Sequence, residues 1–236
     1  MRTLTVLLFA AMAVHADRDA DLACAYAIRD FNLLLTGNGG GSIESVRDRI
    51  CANLKNASPK VAKSIRFQID RAFDPKYGKE GDFLRCMCQM LAAGGDDGIN
   101  KLYKRTKSSS KRESLRRFAA ETLGECGDAE ALDPLLKMIH DPEPSVAAAA
   151  AKGCGAYPKV KPDKRKAAMR TLIDRYRQVT DGAAGKAADA VETRLYEAIK
   201  PAMDESLKAL SGGEALDSAT SWDSWLRENI TKPWPE

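Results

Sequence analysis

The sequence predicts an all-α fold, an α-solenoid in which helix pairs stack side by side into a superhelix. Three observations predict it. A unit of about thirty residues recurs through the middle of the chain, clearest in residues 116–139, RRFAAETLGECGDAEALDPLLKMI. It runs from a small apolar helix face through Leu-Gly and Gly-Asp to a second apolar helix, the layout of one layer in a stacked array. Apolar residues elsewhere recur at three- and four-residue steps, the helical period. Composition agrees: 44% hydrophobic, 30% charged and only 6% aromatic, with abundant alanine. Small side chains let helices approach closely, and alanine has the highest helix propensity.

The elements follow in order. Residues 1–16 carry Arg2, an apolar run Leu4–Ala13 and small residues Val14 and Ala16. That order predicts a cleavable secretory signal cut after Ala16, hence a secreted or periplasmic protein. The run holds about ten residues where a membrane span needs about twenty, so no transmembrane segment is expected. Asp21-Leu22-Ala23-Cys24 resembles a lipoprotein box, which gives a lipid-anchored form as the alternative. Residues 17–80 form an N-terminal helical region, a candidate cap on the array. In it a helix from Asp19 to Leu35 counts Leu22, Tyr26, Leu33 and Leu34 among its apolar positions, and Gly37–Gly41 ends it. Ser42 caps a second helix with Ile43, Val46, Ile50 and Leu54 in register, and Ser58-Pro59 opens a third through Phe73.

Residues 81–210 carry the repeats. A shift of 32 places Arg85 on Arg117, Leu91 on Leu123, Gly95 on Gly127 and Asp96 on Asp128, and a shift of 31 carries Leu123-Gly124 to Cys154-Gly155. Helices are predicted over 82–93, 96–106, 111–125, 129–140, 143–155, 163–179 and 183–210. Gly127 ends one helix with positive φ, Asp128 caps the next, and Pro142 and Pro144 punctuate the following turn. Pro158 and Pro162 lengthen the next link. Residues 211–236 are a tail holding Trp222, Trp225 and Trp234. A short helix there puts Trp222 and Trp225 on one face, to seal the end of the stack or to anchor a partner.

Residues of about 82–157 resemble HEAT-type repeats, above all the short variety of phycobilin-lyase-like and other bacterial HEAT-repeat proteins. The resemblance is carried by Ala119, Ala120, Leu123, Gly124, Gly127, Asp128, Ala131, Leu132, Leu135, Leu136 and the run Asp141-Pro142-Glu143-Pro144-Ser145-Val146. It departs at Ala147, where such repeats often carry Arg. The resemblance implies a superhelical, non-enzymatic scaffold that binds other macromolecules, without lyase chemistry.

The residues themselves offer little catalytic chemistry. One histidine, His140, remains after the leader, so no His-based triad or two-His metal centre can be assembled; it is expected to serve the end of its helix beside Asp141. No cofactor and no metal are predicted. Six cysteines in an exported chain predict disulfides, with Cys24–Cys51 and Cys126–Cys154 as the preferred pairs. Cys86 and Cys88 lie two apart on a helix and point about 200° away from each other, so they cannot readily bridge. They are the only basis for a thiol-active enzyme. The glycine-rich stretches lack phosphate-loop spacing and are turns.

Charge is nearly balanced: 37 Lys and Arg against 33 Asp and Glu give +4, reduced to about +3 when Arg2 leaves with the leader. Two segments concentrate the cations. Residues 101–117 hold Lys101, Lys104, Arg105, Lys107, Lys111, Arg112, Arg116 and Arg117, and residues 159–170 hold Lys159, Lys161, Lys164, Arg165, Lys166 and Arg170. Aligned on one edge they would bind an acidic polymer, though neither interleaves aromatics for base stacking. A protein partner is the leading expectation, an acidic polymer the second.

Overall fold

The computed structural model describes residues 2–108, 111–185 and 190–234; the side chains of the leader and residues 109–110 of the first basic segment lie outside the described residues. The described residues form eleven α-helices and no strand. They divide into two compact units, residues 1–108 and 109–236.

Unit 1 contains α1 (Arg2–Thr36), α2 (Ile43–Leu54), α3 (Pro59–Ala72), α4 (Gly81–Ala92) and α5 (Gly95–Ser108). Helix α2 packs on α4 and α3 on both α4 and α5, while α1 packs on α2 and α3. Helix α2 starts where the sequence places it, with the Ser42 hydroxyl accepting from the Ser45 N–H at 3.2 Å, and it buries Ile43, Val46, Ile50 and Leu54. Ser58 does not cap α3 with its own side chain. It donates from both N–H and hydroxyl to the Asp21 carboxylate, each at 2.7 Å, which ties α3 to α1.

Helix α1 turns a different face inward from the one its leucines suggest. Ala20, Cys24, Ala27, Phe31 and Leu35 are buried, while Leu22, Tyr26 and Leu33 are exposed. The small residues let α1 approach its neighbours closely and Phe31 fills the centre, which displaces the larger side chains to the outside.

Unit 2 contains α6 (Glu113–Glu125), α7 (Leu132–Met138), α8 (Pro144–Cys154), α9 (Pro162–Ala184), α10 (Ala190–Ser211) and α11 (Ala219–Asn229). Its helices form two rows. One row is α6, α8, α10 and the other α7, α9, α11, each helix packed on the next member of its row, with α6 on α7, α8 on α7, and α10 on α9 between rows. That is solenoid stacking, built from the predicted helices except that α9 runs on to Ala184, through the break expected at 180–182, and α10 starts at Ala190 rather than 183. Gly127 has φ 70°, and the Asp128 carboxylate accepts from the Glu130 N–H at 3.0 Å, opening a 3-10 turn that leads into α7.

Glycine and serine set how closely the first row packs. A Cβ on Gly124 of α6 would meet Gly153 Cα of α8 at 2.7 Å, and one on Gly155 would meet the Ser206 hydroxyl of α10 at 2.7 Å. Ser206 in turn donates to the Ala151 carbonyl at 2.7 Å, so its buried hydroxyl is satisfied.

The tail closes the second row. Trp222 of α11 is 0% exposed, Trp225 stands edge-on to it with ring centres 6.1 Å apart, and Trp234 follows at 5.7 Å. Trp222 is thus core and cannot serve as an exposed anchor; Trp225 is half-buried. The Trp222 indole N–H has no acceptor among the described residues. Trp222→Phe removes that orphan donor and is expected to stay within about 1 kcal/mol of the parent, whereas Trp222→Ala should cost about 3–5 kcal/mol. Urea unfolding of both variants checks this.

Candidate interaction surface

Side-chain bonds between layers recur at one repeat length, which shows where the polar residues of the repeat are used. Ser145 donates to Glu113 at 2.7 Å, 32 residues apart; Lys164 to Glu130 at 3.1 Å, 34 apart; and the Tyr157 hydroxyl to the Leu123 carbonyl, also 34 apart. In unit 1, Arg66 meets Asp97 at 2.9 Å across 31 residues, and Arg105 forks onto Asp70 at 2.6 and 2.7 Å across 35. Arg175 Nε donates to the Ile139 carbonyl at 3.1 Å. It caps the end of α7, the role the sequence suggests for His140. His140 is exposed, its pKa held below the ordinary value by partial burial and then by the Arg175 charge.

The first basic segment is spent largely on contacts within its own helices and, at Arg105 and Arg116, with neighbouring elements. Lys101 pairs with Asp97 at 3.1 Å, Arg105 with Asp70, and Lys107 lies over the Tyr103 ring at 4.9 Å. In unit 2, Arg116 grips Asp141 at 2.7 and 3.1 Å, and Arg117 pairs with Glu121 at 3.0 Å and covers the Phe118 ring. Arg112 is the residue before α6 and also has a partner. Lys104 and Lys111 are exposed. In the second segment, Arg165 is buried, donates to the Pro158 carbonyl at 2.6 Å and lies over Trp234, and Lys166 donates to the Lys232 carbonyl at 3.2 Å. Lys159, Lys161 and Arg170 remain exposed.

All six cysteines are free. The expected Cys24–Cys51 and Cys126–Cys154 bridges are absent because packing gives these thiols other neighbours. Cys24 is on the core face of α1 and Cys51 is half-buried beside Arg47 on α2. Cys126 lies 3.4 Å from the Leu123 carbonyl and 3.6 Å from the Tyr157 hydroxyl, while Cys154 is fully buried. Burial pushes the Cys51 thiol up to about 11 and raises Cys24, Cys86 and Cys154. Cys86 and Cys88 are both buried in α4, with Arg47 3.8 Å from the Cys86 sulfur. A lipid on Cys24 would require drawing it out of the core.

A polar recess of unit 2 lies between α9 and α11. It encloses about 350 Å³ and is lined by Arg170, Ile173, Asp174, Arg177, Asp223, Leu226, Arg227 and Ile230. Asp223 on its wall is bonded by Arg177 at 3.0 Å and Arg227 at 2.7 Å, so the two guanidiniums are held in place by one carboxylate. Arg170 and Asp174 extend the recess along α9. Such an open strip of fixed polar groups over Ile173, Leu226 and Ile230 suits a polypeptide chain, with hydrogen-bond donors and acceptors around an apolar floor. Sequence reasoning missed it: Arg170 belonged to a basic segment, but Asp223 and Arg227 come from α11, which no local spacing links to α9.

Among the described residues no three His, Cys, Asp or Glu side chains converge as a metal site, and no helix is long and apolar enough to cross a membrane. No curated protein and no solved structure matches the chain. A family model described as HEAT repeats matches residues 99–191. With helices paired, stacked in rows and stitched at the repeat length, residues 99–191 form HEAT-type repeats.

Proposed function

We propose that the protein is an exported, non-enzymatic scaffold that binds a protein partner through its HEAT layers, using the α9–α11 groove. The HEAT match over residues 99–191 carries this reading, since such stacks are built to offer broad surfaces. The polar groups of the layers support it too: they are engaged in holding helices together. Export rests on the leader sequence.

Photo-crosslinking tests the site. A crosslinking residue placed at Arg170 or Ile230 should trap a polypeptide, and one at exposed Lys152 on α8 should not. Capture that survives high salt supports a protein partner; a steep fall of affinity with salt points instead to a polyanion and overturns the reading. N-terminal sequencing of the native chain should begin at Asp17, and a sequence beginning at Met1 sinks export.

The thiol-enzyme alternative is countered by burial. Alkylation of the folded chain near neutral pH should leave Cys24, Cys86, Cys88 and Cys154 unmodified, with Cys51 reacting appreciably only as pH approaches its raised value of about 11. One rapidly labelled cysteine at neutral pH would restore that alternative.

A further inference from the structure

Helices α1 and α3 run side by side and parallel. Asp21 bonds Ser58 near their starts, and Asn32 donates to Gln68 at 2.7 Å farther along both. At about 100° per residue, Asp21 and Asn32 mark the side of α1 facing α3, and Ala20, Cys24, Ala27 and Phe31 mark its core side. Leu22, Tyr26, Arg29 and Leu33 then fall on the remaining outer stripe. On α3, Gln68 faces α1 and Ile65 and Ile69 face the core, which leaves Lys60, Lys63, Phe67 and Arg71 outside. Each stripe lies about a quarter turn from its inter-helix tie, in opposite rotational senses. For parallel neighbours that turns both stripes the same way.

This shared face is unusual in the molecule. Leu22 is 54% exposed, Tyr26 51%, Leu33 41% and Phe67 57%, four of the five large apolar side chains that the described residues expose. Cations are interleaved with them. Arg29 covers the Tyr26 ring at 5.4 Å and Arg71 the Phe67 ring at 5.9 Å, while Lys60 and Lys63 are exposed on α3. Acids are few: Asp30 is held by Arg49 at 3.0 Å and also meets Arg29 at 3.3 Å, Asp70 is held by Arg105, and exposed Asp19 stands beside Arg18 at one end.

We propose that this face seats unit 1 on an anionic lipid surface, a role beyond the binding of a protein partner. Leucine, phenylalanine and tyrosine enter the headgroup boundary while arginine and lysine stems lie along it and carry their charges to the phosphates. Two leucines on one stripe do not stack on bases, which disfavours nucleic acid. Two parallel helices lying in one plane match a flat surface.

The test is co-sedimentation of the chain beginning at Asp17 with vesicles of phosphatidylcholine alone or with about one-third phosphatidylglycerol. The chain is expected to bind the anionic vesicles at least about tenfold more tightly. Lys60→Glu with Lys63→Glu and Arg71→Glu should abolish that preference, and Leu22→Ser with Phe67→Ser should weaken binding about tenfold, all with unchanged circular dichroism and melting temperature, since the positions are exposed. Variants that bind like the parent would show that this face does not carry binding and overturn the proposal. So would failure of the parent to bind either vesicle. A crosslinker at Phe67 that traps a polypeptide from a chain indifferent to vesicles would give the face to a protein instead.

Discussion

Arg116→Ala is expected to destabilise unit 2 by about 3–5 kcal/mol, the cost of stranding one partner of a buried ion pair. The Arg116 and Asp141 side chains are only 10% and 12% exposed, and two guanidinium N–H groups reach the two carboxylate oxygens at 2.7 and 3.1 Å. Asp141 does a second job by accepting from the Glu143 N–H at 3.0 Å, which shapes the turn into α8. Without the arginine, a buried carboxylate has lost its counter-charge while still bound to that turn. Arg116→Lys should rescue only part of the loss, since an ammonium cannot fork onto both oxygens. The exposed pair Lys164–Glu130 at 3.1 Å provides the contrast, and Lys164→Ala should cost less than about 1 kcal/mol. All three tryptophans lie in unit 2, so fluorescence during urea unfolding reads this transition directly. A cost for Arg116→Ala as small as that for Lys164→Ala would show that the fork is not what holds α6 to the turn.

The layers were legible because each boundary has a local chemical cause. Gly127 and Asp128, Ser42, and Pro144 at the start of α8 act within a turn of where they stand, and the shift of 32 residues follows from one pair of helices plus two turns. What the chain did with its larger groups was not local. Helix α1 carries leucines on two sides, and only the presence of α2 and α3 decides that Ala20, Cys24 and Ala27 go inward while Leu22 and Leu33 stay out. The same holds for charge. Arg105 and Arg116 look like parts of one basic segment, yet their carboxylates lie 35 residues upstream and 25 downstream, distances that no composition reveals. The disulfide expectation came from counting cysteines in a chain whose leader suggests export, and it yielded to packing that gives Cys126 a tyrosine and a carbonyl as neighbours. Arg175 replaced His140 at the end of α7 for a related reason: a long side chain from the next layer reaches a carbonyl that the local residue leaves open.

Close helix contact supplies the other large effect. A Cβ on Gly124 would lie 2.7 Å from the Cα of Gly153, backbone against backbone, where neither helix can yield without shifting the layer. Alanine gains about 1 kcal/mol of helix propensity over glycine, but overpacking of this kind costs about 1–3 kcal/mol and more where backbone must move. Gly124→Ala is therefore expected to be net destabilising by about 2 kcal/mol. Gly98→Ala should be worse, because its Cβ would fall 1.9 Å from the Leu91 carbonyl oxygen in unit 1. Gly153→Ala is milder: its new methyl meets Leu135 Cδ2 at 3.0 Å and Gly124 Cα at 3.2 Å, and the leucine can turn. Gly40→Ala, with nothing within 4 Å and no positive φ, is the neutral control. The order of cost, Gly98 above Gly124 above Gly153 above Gly40, follows from whether backbone or side chain stands in the way. Tryptophan fluorescence reports the two unit 2 variants, and amide exchange of α4 and α5 reports Gly98. A Gly124→Ala protein that melts at or above the parent temperature would mean that α6 and α8 do not meet at these glycines.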